Sequence, residues 1–162
     1  MLKSAYFAGG CFWGVEYFFE TFTGVKTAIS GYMGGDIQNP TYDDICTGSS
    51  KHYETVQVNY DENIVSYDEL AMHFFEIHNC TQKDGQGPDR GSQYMSAVFY
   101  ENDEEKDILE DIINELKRKL YKVQTKLIQK DSIIFYKAED YHQNYYFNNF
   151  QTPYCHKYKK IF

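Results

Sequence analysis

Near the start of this 162-residue chain, Gly9-Gly10-Cys11-Phe12-Trp13-Gly14 separates a short apolar run, Lys3 to Ala8, from residues with helical spacing. A glycine pair lets the backbone turn where residues with a Cβ resist, so the reading is strand, turn, helix. The helix is expected over Cys11 to Phe22, with Val15, Phe18, Phe19 and Phe22 on one stripe and Gly24 as a stop. The junction restricts the fold to those in which a strand feeds directly into a helix packed against it. It also puts a cysteine at a helix start, where backbone N–H groups lack partners and the positive end of the dipole favours thiolate over thiol. On local evidence Cys11 is a nucleophile or a small buried hydrophobe, with the helix start favouring the first. Phe12 and Trp13 are core residues or the wall of a small apolar pocket.

Downstream the same alternation continues. Val25 to Tyr32 reads as a strand, Met33 to Ser50 as a long loop, and Glu54 to Tyr60 as a strand with Val56, Val58 and Tyr60 on its apolar face. Glu54 falls on that face. Burying a carboxylate raises its pKa, so the residue is a candidate proton donor; the alternative is the exposed first residue of a strand. Ser66 to Glu69 resembles a capping box opening a helix through Ile77, and Asn79 to Gln93 is a second loop. Ala97 to Tyr100 is a short buried strand and Asp103 to Leu120 the longest helix. Two strands near Val123 to Ile128 and Ile133 to Tyr136 precede an irregular aromatic tail. One domain over residues 1–162, an α+β two-layer sandwich, follows from the length and the alternation.

Charge and cysteine usage exclude several classes of function. The net charge of -8 opposes a phosphate backbone, so nucleic acid is not an expected partner. Acids at the start and Lys117, Arg118, Lys119 at the end of the long helix suit its dipole and read as a solvated surface. No stretch is long enough to span a bilayer and none at the N-terminus has signal-peptide character, which predicts a cytoplasmic protein with no membrane association. An acidic surface without an apolar stripe predicts a monomer. Cys11, Cys46, Cys80 and Cys155 lack the paired spacing of zinc sites, so no metal is expected. A cysteine-dependent hydrolase with His52, His142 or His156 as base is the alternative chemistry.

The segment Gly10-Cys11-Phe12-Trp13-Gly14 resembles the GCFWG signature of the A-type peptide methionine sulfoxide reductases. Gly31-Tyr32-Met33-Gly34-Gly35, Asn39-Pro40-Thr41-Tyr42, Thr47-Gly48 and His52-Tyr53-Glu54 follow in that family's order. Gln86 to Ser96 is similar to its QGxDxGxQYRS segment, and Ala138 to Tyr145 to AEDYHQxY. The resemblance implies reduction of the S epimer of methionine sulfoxide, free or in oxidised proteins, with no bound cofactor and thioredoxin or another dithiol as external reductant. It implies a ferredoxin-like core, Cys11 as nucleophile, Glu54 as proton donor, and Tyr42 and Tyr94 as hydroxyl donors to the sulfoxide oxygen. Phe12 and Trp13 would hold the methyl group, and Asp89 and Tyr145 the polar side. Cys155 would resolve the Cys11 sulfenic acid.

The chain departs from the family pattern at His78-Asn79-Cys80-Thr81, where a cysteine replaces the proline of HDPT, and at Met95, where QYRS has arginine. Cys80 reads as a passive buried cysteine and Cys46 as structural.

Overall fold

In the computed structural model, which describes residues 2–162, the apolar run is β1 (Leu2–Gly9), buried from Ala5 onward. The turn at Gly10 has φ +95°, and a Cβ there would lie 2.5 Å from the Cβ of Gln86, so only glycine fits. Next come α1 (Phe12–Glu20), β2 (Val25–Met33), α2 (Tyr42–Cys46), β3 (Tyr53–Asp61) and α3 (Tyr67–Ile77). A small hairpin, β4 (Gly85–Gln86) and β5 (Asp89–Arg90), leads to β6 (Ser96–Tyr100) and α4 (Asp103–Arg118). The chain ends through β7 (Lys126–Gln129), β8 (Tyr136–Lys137) and α5 (Tyr145–Asn148).

Six strands form one sheet in the order β7-β6-β1-β3-β2-β8, antiparallel except for the β6–β7 pair. Register sets the two faces. Ala5 lies opposite Val58 and Phe7 opposite Val56, while Tyr32 lies opposite Glu54. These side chains share the face on which α1, α3 and α4 bury Val15, Phe19, Leu70, Phe74, Leu109, Ile112 and Leu116. Phe7 stacks at 5.0 Å on both Phe19 and Phe74, tying β1 to two helices; each such ring contributes about 1.5–3 kcal/mol by burial. Tyr6, Ala8, Met33, Ala97 and Phe99 occupy the other face, packed against Ile133 and Phe135 of the segment before β8. A mixed α/β fold with one central sheet is the result.

The helix starts agree with the sequence reading. Ser66 accepts from the Glu69 N–H, and Asn102 from the Glu105 N–H at 2.9 Å. The expected loop from Met33 to Ser50 contains α2, whose Thr41 cap and Asp44 form a reciprocal capping box; five residues are too few to show a helical period. The expected strand at Ile133 to Tyr136 shifts to β8, because Ile133 and Phe135 are taken by the second face of the sheet. The expected aromatic tail carries a short 3₁₀ turn at Asp140–His142 and the four-residue α5.

Candidate active site

Cys11 is the N-cap of α1 and has no side-chain oxygen with which to cap it. The first amides find other partners. Phe12 N–H donates to Glu54 Oε1 at 3.2 Å, Trp13 N–H bonds to the Cys11 sulfur, and Gly14 N–H donates to the Cys11 carbonyl at 3.2 Å. Glu54, from the second residue of β3, therefore closes the end of the helix that begins at Cys11. It is 2% exposed, and its Oε2 has no hydrogen-bond partner.

Burial pushes the Glu54 carboxyl up to about 8, against the lowering effect of the Phe12 N–H. It is protonated at neutral pH. Cys11 is also buried, and burial, followed by the nearby Glu54 charge, raises its thiol well above the usual range, although the Trp13 N–H opposes this. The expectation of a thiolate at a helix start is corrected here, since loss of solvation outweighs the one amide that bonds the sulfur. The resting site holds two protons, one on sulfur and one on the carboxyl.

Tyr42 opens α2 and Tyr94 closes the 3₁₀ turn Ser92–Tyr94. Both are partly buried. Burial raises the Tyr94 phenol first and the Glu54 charge second; for Tyr42 burial leads, then a hydrogen bond with Cys46, then Glu54. Both stay protonated within the field of Glu54, which makes them donors. Glu139 positions Tyr42 by accepting its backbone N–H at 2.9 Å while also accepting the Tyr32 hydroxyl at 2.9 Å. Because Tyr32 pairs with Glu54 across the sheet, this links Tyr42 to the strand that carries the carboxyl.

Phe12, 1% exposed, packs between Tyr32 at 5.6 Å and His142 at 5.1 Å. Trp13 donates its indole N–H to His142 Nδ1 at 2.9 Å. Burial lowers the His142 pKa, keeping the ring neutral and Nδ1 able to accept. Tyr145 lies flat on Trp13, with ring centroids 3.6 Å apart. Its ring extends the aromatic wall beside the polar side of the site for which the residue is expected. His142→Phe keeps the ring and removes the acceptor. It should cost about 1–3 kcal/mol through the stranded indole N–H and change the fluorescence of Trp13, the sole tryptophan, as followed by thermal unfolding and emission spectra.

The tail closes the site through His156. Its ring is 2% exposed, its Nε2 bonds to the Gly9 carbonyl at 2.6 Å, and it fills the space over Gly14. Cys155 is thereby held beside the α1 start, close enough that it and Asp89 both help to raise the Cys11 thiol. Its S–H donates to Asp89 Oδ2 at 3.2 Å, and burial together with that carboxylate pushes the thiol up to about 11. A Cβ on residue 14 would overlap His156 Nδ1. Gly14→Ala should therefore lower stability by about 1–3 kcal/mol and free the tail, which limited proteolysis after residue 150 would detect.

The structure thus brings together Cys11, Phe12, Trp13, Tyr42, Glu54, Asp89, Tyr94, Tyr145 and Cys155 around one helix start. Cys46 is exposed, and Cys80 is buried. No histidine hydrogen-bonds Cys11 among the described residues. His52 is engaged by Gly35 and Ile37, His73 by Phe18, and His78 by Phe74 and Ser96, while His142 and His156 are engaged as above. The hydrolase alternative lacks its base. Sequence reasoning missed Glu139 and gave His142 and His156 the wrong duty; the only signal for the first two was their place in Ala138–Tyr145. Among the described residues, no group of three or more His, Cys, Asp or Glu is arranged to hold a metal ion, and no helix is long and apolar enough to cross a membrane.

A cysteine under helix-start amides, beside a protonated carboxyl, two phenols and a second thiol, is the equipment of a thiol-dependent redox enzyme. The family model described as peptide methionine sulfoxide reductase matches residues 3–161. The chain is 49% identical over 154 residues to the peptide methionine sulfoxide reductase MsrA of Ruthia magnifica subsp. Calyptogena magnifica, covering 95% of this chain and 91% of the relative. Among solved structures, Mxr1 from Saccharomyces cerevisiae in reduced form superposes with a TM-score of 0.89 at 32% identity, covering 98% of this chain and 93% of that one. Mxr1 in complex with Trx2 shares the fold at a TM-score of 0.66 and 23% identity, covering 98% and 91%. The chain belongs to the peptide methionine sulfoxide reductase family.

Proposed function

We propose that this chain reduces the S epimer of methionine sulfoxide, free or protein-bound, with Cys11 as nucleophile. The observation that carries this reading is the unpartnered Oε2 of a protonated Glu54 beside the Cys11 thiol. A sulfoxide sulfur becomes electrophilic as its oxygen accepts a proton, and Glu54 Oε2–H is the buried acid placed to give one. The Tyr42 and Tyr94 hydroxyls add hydrogen bonds to the same oxygen. Cys11 sulfur bonds to the sulfoxide sulfur as Glu54 protonates the oxygen, and the thiol proton restores Glu54. The sulfide then leaves with both electrons of the new S–S bond, and the hydroxyl passes to Cys11, giving a sulfenic acid. Methionine sulfur is reduced by two electrons and Cys11 is oxidised by two.

Cys155 then attacks the Cys11 sulfur, water leaves, and a disulfide forms. Thioredoxin or another dithiol restores both thiols by exchange, in keeping with the solution of Mxr1 in complex with Trx2. Phe12 and Trp13 hold the methyl group, and Asp89 orders the polar rim through Cys155. An apolar wall on one side and hydroxyls on the other accept one handedness at sulfur. The same reading takes residues 1–162, Met1 lying outside the described residues, as a single monomeric domain acting in the cytoplasm. Its core is of the ferredoxin-like kind, which the β1-α1-β2-β3-α3-β6 succession and the strand order β6-β1-β3-β2 support.

The test is a single-turnover assay of the reduced protein with separated S and R epimers of a methionine sulfoxide peptide, counting methionine formed and thiols lost. Methionine from the S epimer alone with loss of two thiols is expected. Product from neither epimer would overturn the reading.

A further inference from the structure

Trp13 borders a second space that the proposed chemistry does not use. It lines a hollow of about 550 Å³ together with Tyr145, Tyr146, Phe150, Gln151, Thr152 and Tyr154. Phe150 is 97% exposed and Tyr154 64% exposed. Phe150 also sits at φ +54°, in the left-handed region that favours glycine. The tight reversal that holds it there is pinned by Asn149 N–H to the Tyr145 carbonyl at 3.1 Å and Gln151 N–H to the Tyr146 carbonyl at 2.9 Å. Backbone strain and full exposure of a phenylalanine coincide at one residue, and both are unfavourable unless something covers the ring.

We propose that this hollow is a subsite for the residues flanking a methionine sulfoxide in an unfolded polypeptide, and that it selects apolar or aromatic neighbours. The proposal rests on the reductase reading above. A volume of about 550 Å³ suits a side chain with its backbone, within the roughly 300–1,000 Å³ of ligand pockets. Continuity with the reacting site runs through Trp13, since the residue whose first-turn amide meets Cys11 also forms the wall of the hollow. A peptide with its sulfoxide at Cys11 must therefore carry its neighbours past Trp13. Gln151 and Thr152 make no side-chain hydrogen bond among the described residues and are free to pair with peptide N–H and C=O groups. The net charge of -8 disfavours acidic flanks. Methionines buried in native proteins have apolar neighbours, so the occupant is a damaged core segment exposed by unfolding.

The experiment compares kcat/KM, with dithiothreitol as reductant, for N-acetyl methionine S-sulfoxide, a pentapeptide flanked by Phe and Leu, and the same peptide flanked by Asp. The apolar peptide should exceed the acidic one by roughly tenfold or more, as one apolar side chain in a pocket supplies. Phe150→Ser should erase that preference while leaving turnover of the N-acetyl amino acid and thermal stability unchanged, and Phe150→Leu should restore it. Equal values for both peptides, or a Phe150→Ser effect seen only when thioredoxin replaces dithiothreitol, would overturn the proposal; the second result would assign the surface to the reductant. Failure of the wild type on the N-acetyl amino acid as well would instead overturn the reductase reading.

Discussion

Glu54→Gln should lower the single-turnover rate of sulfoxide reduction by about 10²–10⁴-fold while making the folded chain more stable in alkaline solution. The two effects share one cause. With its carboxyl pushed up to about 8 from an ordinary value of 4.5, the folded state binds this proton more tightly than the unfolded state does. Its contribution to stability is complete below the unfolded value and is lost as pH rises through about 8. Above that pH the wild type must hold a buried charge, whereas glutamine keeps the hydrogen bond from Phe12 N–H and carries none. The gain is on the order of 5 kcal/mol at its upper limit. Glu16, pushed by burial up to about 7 and bonded to Ser30 Oγ and Asn144 N–H, loses stability in the same direction, but it is common to both proteins and cancels in the difference. Urea unfolding at pH 6 and pH 9 would measure the stability effect. Rapid-quench assays across the same range should show the wild-type rate falling as pH passes about 8. A Glu54→Gln protein with a wild-type rate would remove Glu54 from the chemistry.

Cys155→Ser should separate the two halves of the cycle. Methionine formed in the first turnover should match the wild type, thiol loss should fall from two to one, and the sulfenic acid should persist long enough for trapping by dimedone. Steady turnover with thioredoxin should fall by roughly 10²-fold, because a tethered thiol reacts at a high effective concentration that an external one lacks. The expectation rests on His156, which anchors the tail on the Gly9 carbonyl at 2.6 Å, and on Asp89, which holds the Cys155 thiol at 3.2 Å. Full turnover in Cys155→Ser would mean that another thiol resolves the sulfenic acid, and the same assays on Cys80→Ser would identify it.

Much of this was legible in the chain itself. Strand, glycine turn and helix around Gly10 and Cys11 are local events, governed by backbone sterics and helical periodicity, and the alternation from Glu54 to Tyr60 placed the carboxyl on the buried face of β3. The motifs from Cys11 to Tyr145 singled out the residues that converge. The capping side chain Ser66 lies one residue before the helix it starts, so that start was readable too. Helix α2 was not, because its stability comes from Thr41 and Asp44 and from the buried Ile45, not from a repeating apolar pattern.

What the sequence by itself determined is the order of the main strands and helices, the family and the side chains proposed to react, since each depends on residue type and short spacing. Only the tertiary structure decided the protonation of the site and its fine positioning. The Cys11 thiol and the Glu54 carboxyl keep their protons because strands and helices far apart in the chain exclude water around them. The Trp13 bond to His142 spans 129 residues and the His156 bond to Gly9 spans 147. Solvation and contacts over such separations are set by how the sheet and its helices assemble, and no local pattern encodes them.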